Sequence, residues 1–174
     1  MIYPKLVVVF GLPGSGKSFF ARKLSEILQA SYLNTDSIRI LMQKRGDYAY
    51  STKLNVYRRM HDICVENLSA GKNVVLDGTY FKRALRDQLL DIILPLKVDL
   101  SFIEITAEQP VLRNRLSTIR TDSDADLEIH QKLARQFEPL TEAHLKLIST
   151  NDNIEYLLDQ ALSYLKVNDH GSVE

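Results

Sequence analysis

The chain has 174 residues, 45% of them hydrophobic and 25% charged, an ordinary composition for one globular domain with a full core. Its 22 Lys and Arg balance 22 Asp and Glu, so the whole-molecule field exerts no strong pull on nucleic acid or an anionic membrane, and only local basic patches are left open. One cysteine rules out an internal disulfide framework.

The start, "MIYPKLVVVF", has neither the basic leader nor the small-residue cleavage site of a signal peptide and is too short to span a bilayer, so a soluble cytoplasmic protein is expected. Within it "KLVVVF", Lys5 to Phe10, predicts a strand buried on both faces of a parallel sheet. "GLPGSGKS", Gly11 to Ser18, follows at once, and Phe20, Leu24, Ile27 and Leu28 then recur at helical spacing. "SYLNTD" predicts a short second strand, with helical stretches near 37–45 and 52–70, the second stopping at Gly71. Inside that second stretch Cys64 shares its spacing with Met60 and Leu68, which predicts a small buried hydrophobe rather than a reactive thiol. "NVVLDG", residues 73–78, is again an apolar strand ending in a turn. "KRALRDQLLDIIL" is helical up to Pro95, "VDLSFIEITA" is a strand, and Pro110 opens a helix carrying "VLRNRL". "LKLIST" supplies a fifth short strand, and Ile154, Leu157, Leu158, Ala161, Leu162 and Leu165 form an apolar helical stripe. The alternation predicts an α/β fold with a parallel sheet in one domain over 1–167, followed by a polar tail at 168–174.

The spelling Gly11-x-x-x-x-Gly16-Lys17-Ser18, between a strand and a helix, is a phosphate-binding loop. In the stretch Gly11, Leu12, Pro13, Gly14, Ser15 and Gly16 the glycines let the backbone N–H groups, which every residue but Pro13 has, converge on phosphate oxygens, and the helix N-terminus adds partial positive charge. Lys17 is expected to reach the β and γ phosphates of a nucleoside triphosphate and the Ser18 hydroxyl to ligate Mg²⁺.

What receives the γ-phosphoryl group is read from the other strand ends. No Asn-Lys-x-Asp guanine-reading sequence occurs, which disfavours a GTPase switch and makes ATP the expected nucleotide. In "VVLDGTY" Asp77 is followed by Gly78 rather than by a water-activating glutamate, which disfavours a motor ATPase. Asp77 then reads as a metal-side carboxylate, or alternatively as a turn or helix cap before "TYFKRAL". In "NTDSIR", Asp36 and Arg39 share a helix face: the carboxylate suits a general base and the arginine a stabiliser of phosphoryl charge, unless Asp36 is only an N-cap beside an exposed arginine. "VLRNRLSTIRTDSDAD" holds Arg113, Arg115 and Arg120 in a polar stretch that breaks the helical pattern, as a lid gripping phosphates requires and as a solvated face would also look.

Taken together, "GLPGSGKS", "NTDSIR", "VVLDGTY" and "RLSTIRTDSDAD" resemble the stand-alone P-loop kinases allied to polynucleotide 5′-hydroxyl kinase and the zeta-toxin-like kinases, over residues 5–140. The resemblance implies a P-loop NTPase three-layer fold, a five-stranded parallel sheet flanked by helices with the phosphate-loop strand central, and a small lid near 117–126. It implies Asp36 as the general base, Arg39 as the clamp on the scissile phosphate, and either Arg115 or Arg120 as the lid arginine. The reading is an ATP- and Mg²⁺-dependent kinase acting on a hydroxyl of a small molecule. Its rivals are a polynucleotide 5′-hydroxyl kinase, with Lys82, Arg83 and Arg86 as a local phosphate-tracking patch, and a non-catalytic nucleotide-binding protein.

Overall fold

The computed structural model describes residues 3–117 and 127–169. The expected lid beyond Ser117, with Arg120, and the tail beyond residue 169 lie outside the described residues. Strand β1 (Lys5–Phe10) occupies the centre of a five-stranded sheet of order β2-β3-β1-β4-β5, with β2 at Ser31–Asn34, β3 at Val74–Gly78, β4 at Asp99–Thr106 and β5 at Leu145–Ile148. Every pairing is parallel: Leu6 to Phe10 run beside Val74 to Gly78 on one side, and Lys5 to Phe10 beside Asp99 to Glu104 on the other.

The unbroken apolar run of β1 is explained by this central position. Leu6, Val8 and Phe10 face one core and Val7 and Val9 the other, so there is no solvent face to demand a polar residue. The second core is closed by Phe20, Ala21 and Leu24 of α1 (Lys17–Ile27) and by Leu157, Leu158, Ala161 and Leu165 of α7 (Ile154–Asp169). On the opposite face lie α2 (Thr35–Leu41), α3 (Tyr50–Ser69), α4 (Arg83–Ile93) and α6 (Leu127–Gln136), which contribute Ile38, Met60, Leu89 and Leu133 among others. Cys64 is wholly buried there, and burial pushes its thiol up to about 12, as a packing role requires. Helix α5 (Gln109–Ser117) carries the expected Pro110 start and is anchored by buried Leu112 and Leu116.

A parallel sheet delivers all its strand carboxyl ends to one edge. The phosphate loop, Asn34, Asp77 and Ser149 therefore gather there although they are far apart in sequence.

Candidate active site

Two positions show why the loop after β1 needs glycine. A Cβ on Gly11 would collide with the Ile105 carbonyl oxygen of neighbouring β4, and Gly16, at φ 90°, would set one 3.0 Å from both an Arg115 nitrogen and the Ser149 hydroxyl. Gly16 is also the N-cap of α1, which has no side-chain cap and no acidic residue in its first turn. The opening N–H groups of α1 are thus left for an anion.

The loop borders two cavities that meet. The larger, about 590 Å³, lies between the loop, Arg22 and Tyr32 on one side and Arg115, Ser149, Thr150, Asn151 and Asn153 on the other. The smaller, about 150 Å³, is bounded by Arg39, Tyr48, Lys53, Tyr57, Asp77 and the Lys132 face of α6. Pro13, Lys17, Ser18, Asn34 and Asp36 belong to both walls, so the loop lysine and the "NTDSIR" aspartate stand at the junction.

For both aspartates the geometry sets aside the helix-cap alternative. Asn34, not Asp36, caps α2: its side-chain oxygen accepts the Ser37 N–H at 2.8 Å. Asp36 instead accepts a hydrogen bond from the Arg39 guanidinium at 2.8 Å, and Arg39 is only 6% exposed rather than solvated. Burial in the cleft raises the Asp36 pKa above the ordinary carboxylate value; Arg39 and Lys17 oppose that rise, and the charge of Asp77 adds to it. Asp77 is no helix cap either, since the N-cap of α4 is Lys82. It is the last residue but one of β3, is 3% exposed, and accepts the Tyr32 hydroxyl at 2.7 Å; burial and the Asp77 charge hold the Tyr32 proton in place.

Arg113 and Arg115 belong to helix α5, the helix expected to open at Pro110, rather than to the polar stretch that follows it. Arg115 donates to the Gly14 carbonyl at 3.2 Å, the Ser149 hydroxyl at 2.8 Å and the Thr150 carbonyl at 2.6 Å, so it ties the phosphate loop to the loop after β5 and forms a wall of the larger cavity. The patch suggested for a polynucleotide does not form. Arg86 is 2% exposed and donates to the Tyr80 and Pro139 carbonyls, Lys82 pairs with Glu138, and Arg83 pairs with Asp87. Arg86→Ala is accordingly expected to cost about 3 kcal/mol of stability by leaving two carbonyls unpartnered beside a cavity, and urea unfolding checks it. A loss below about 1 kcal/mol would mean that the site collapses or that water replaces the guanidinium.

Several residues at the site carry no sequence signal. Tyr32, Lys53, Ser149 and Lys132 sit in unremarkable local patterns and reach the cavities only through the fold. His130 of α6 donates a ring N–H to the Pro13 carbonyl at 2.8 Å, fastening that helix to the phosphate loop. Among the described residues no group of three or more His, Cys, Asp or Glu could hold a metal by itself. A hydroxyl at Ser18 with a carboxylate at Asp77 is still an all-oxygen set, which suits a magnesium ion that takes its remaining ligands from phosphates and water. No described helix is long and apolar enough to cross a membrane.

The sequence matches the family described as AAA domain over residues 6–140. No curated protein matches it. Among solved structures it is similar to an unliganded sugar kinase from Janibacter sp. HTCC2649 (TM-score 0.73, 19% identity, 98% of this chain and 99% of that one). It is likewise similar to a gluconokinase from Sinorhizobium meliloti 1021 (0.69, 19%, 98% and 97%). A third is the Mycobacterium tuberculosis APS kinase in complex with AMPPNP and APS (0.74, 15%, 95% and 99%). At these identities the likeness is one of fold, the P-loop α/β architecture.

Proposed function

Since the chain belongs to the AAA domain family, we propose that it is an ATP- and Mg²⁺-dependent kinase that moves the γ-phosphoryl group to a hydroxyl of a small-molecule acceptor. The observation that carries this reading is the meeting of two cavities at Lys17, Ser18 and Asp36. A hydrolase needs one cavity and a water; a transferase needs a second compartment opening onto the γ-phosphate. Structures of similar fold that are named sugar kinase, gluconokinase and APS kinase support a small acceptor.

In the proposed mechanism the larger cavity takes the nucleotide, with its phosphates on the uncapped start of α1 and on Lys17. Ser18 and Asp77 would hold the magnesium ion, which supplies neutralisation of phosphate charge when bound. Asp36 accepts the acceptor's hydroxyl proton as the new bond forms between the acceptor oxygen and the γ-phosphorus. The bond from that phosphorus to the β–γ bridging oxygen breaks, and ADP leaves. Arg39 holds Asp36 in place and stands ready to face the transferred group. Arg115 shapes the nucleotide wall, and the lid role, open to Arg115 or Arg120, stays part of the proposal.

The test is a transfer screen with γ-labelled ATP across sugars, nucleosides, amino alcohols and 5′-hydroxyl oligonucleotides. Label on a small alcohol is expected. Label only on oligonucleotides would reverse the acceptor class, and label on none of them would favour a non-catalytic nucleotide binder.

A further inference from the structure

The wall of the smaller cavity is unevenly charged. Lys17, Arg39, Lys53 and Lys132 line it against only Asp36 and Asp77, in a chain whose total charge is zero. Both carboxylates are already engaged, Asp36 by Arg39 and Asp77 by the Tyr32 hydroxyl. Lys17 faces the larger cavity as well, where nucleotide phosphates belong, whereas Lys53 and Lys132 line the smaller one alone. Among the described residues neither of those two lysines has an ion-pair partner. Lys53 is half-buried with its ammonium 5.1 Å from the centre of the Phe81 ring. Burial lowers its pKa, and the positive charges of Arg39 and Lys132 lower it further. Arg39, nearly buried, keeps its Nε without a partner among the described residues. A surface needs no such gathering of cations, and a cavity for a neutral polyol would be better served by amides and hydroxyls.

We propose, resting on the kinase reading above, that the acceptor carries an oxyanion, either a carboxylate or a phosphate monoester, in addition to the hydroxyl that is phosphorylated, and that Lys53 and Lys132 bind it. The oxyanion neutralises the surplus charge of the wall and replaces the water that a half-buried ammonium lacks. Ile129 and Leu133, on the same helix as Lys132, cover the acceptor with apolar surface, and the volume of about 150 Å³ suits a compact skeleton. Because Lys53 comes from α3 and Lys132 from α6, an oxyanion bound by both is held from two separate helices.

The experiment offers γ-labelled ATP with matched acceptors of three to six carbons: a polyol, the carboxylate derived from it, and its monophosphate. In parallel, the ADP-saturated protein is titrated calorimetrically with the same compounds. One of the two anionic series is expected to exceed the polyols in kcat/KM by about tenfold or more, and comparison of carboxylate with monophosphate identifies the oxyanion. In Lys53→Met, and separately in the exposed Lys132→Met, that preference is expected to fall to near unity while ADP affinity stays at the wild-type value; Lys53→Arg should restore part of it. Equal use of neutral polyols by the wild type would overturn the proposal, as would a Lys53→Met variant that loses ADP affinity, which would assign these charges to the nucleotide. Transfer to neutral polyols alone would leave the kinase reading standing without the oxyanion site. Lys53-dependent binding of an anion with no transfer to any acceptor would support the site and sink the kinase reading.

Discussion

Lys17→Ala is expected to lower kcat for phosphoryl transfer by about a thousandfold while leaving the protein folded. The lysine is the first residue of α1 and, among the described residues, the one basic side chain that lines both cavities, so its ammonium is placed to follow the γ-phosphoryl group from nucleotide to acceptor. Charge on the transferring oxygens is stabilised most where the cavity excludes water, and an alanine removes the ammonium from the groups that stabilise it there. The fold has little stake in the residue: Lys17 is only half-buried, and the packing of α1 rests on Phe20, Ala21 and Leu24. Alanine is also the best helix former, so the start of α1 is not weakened. Melting temperature and far-ultraviolet dichroism should therefore match the wild type, with nucleotide affinity reduced less than kcat. Unchanged turnover would remove Lys17 from the reaction; a large fall in melting temperature would assign it to the scaffold instead.

The same contrast between local and distant causes separates what the sequence makes legible from what it does not. The phosphate loop is readable because all its requirements lie within eight residues: a buried strand before, glycines within, Lys-Ser at the start of a helix. Asp36 and Arg39 are readable for a similar reason, since three residues apart on a helix is a contact whatever the tertiary fold. Cys64 follows from helical spacing alone.

Arg86 is the opposite case. In "KRALRDQLL" it looks like one more basic residue of a solvated face, and its burial depends on the Pro139 carbonyl, brought up by the segment after α6, which also sends Glu138 to accept the Arg83 N–H at 2.7 Å. No local pattern announces such a partner. The helix that carries Arg115 is legible from Pro110 and from Leu112 and Leu116, which bury one turn apart, but the acceptors of its guanidinium are not, since they come from the phosphate loop and from the segment after β5. Lys53 and Lys132 belong to helices on either side of two strands in the chain, so a shared cavity wall is visible only once the fold exists.

Asp36→Asn is the substitution that separates catalysis from binding. The amide keeps the shape of the carboxylate and, because the cap of α2 is Asn34, removes nothing from the helix start. What is lost is the ability to take a proton from the acceptor hydroxyl, and kcat is expected to fall by about two to four orders of magnitude with nucleotide affinity nearly unchanged. The pH dependence supplies an independent signature. Burial raises the Asp36 pKa, so in the wild type kcat should rise with pH along a limb displaced above the ordinary carboxylate range, and that limb should vanish in Asp36→Asn. The sign for stability runs the other way. A carboxyl whose folded pKa is raised binds its proton more tightly in the folded chain, so it favours folding below its ordinary pKa and loses that contribution as pH climbs through the raised value. At neutral pH the ionised Asp36 therefore detracts from stability, and Asp36→Asn is expected to be at least as stable as the wild type there, even with the Arg39 bond weakened, as thermal unfolding at neutral and acidic pH would read. A variant that keeps full kcat with its acidic limb intact would take the general-base role away from Asp36. A variant that loses activity and stability together would make the pair with Arg39 a structural bridge. Loss of activity with stability retained is the mark of a carboxylate held in the cleft for chemistry, at a cost to the fold.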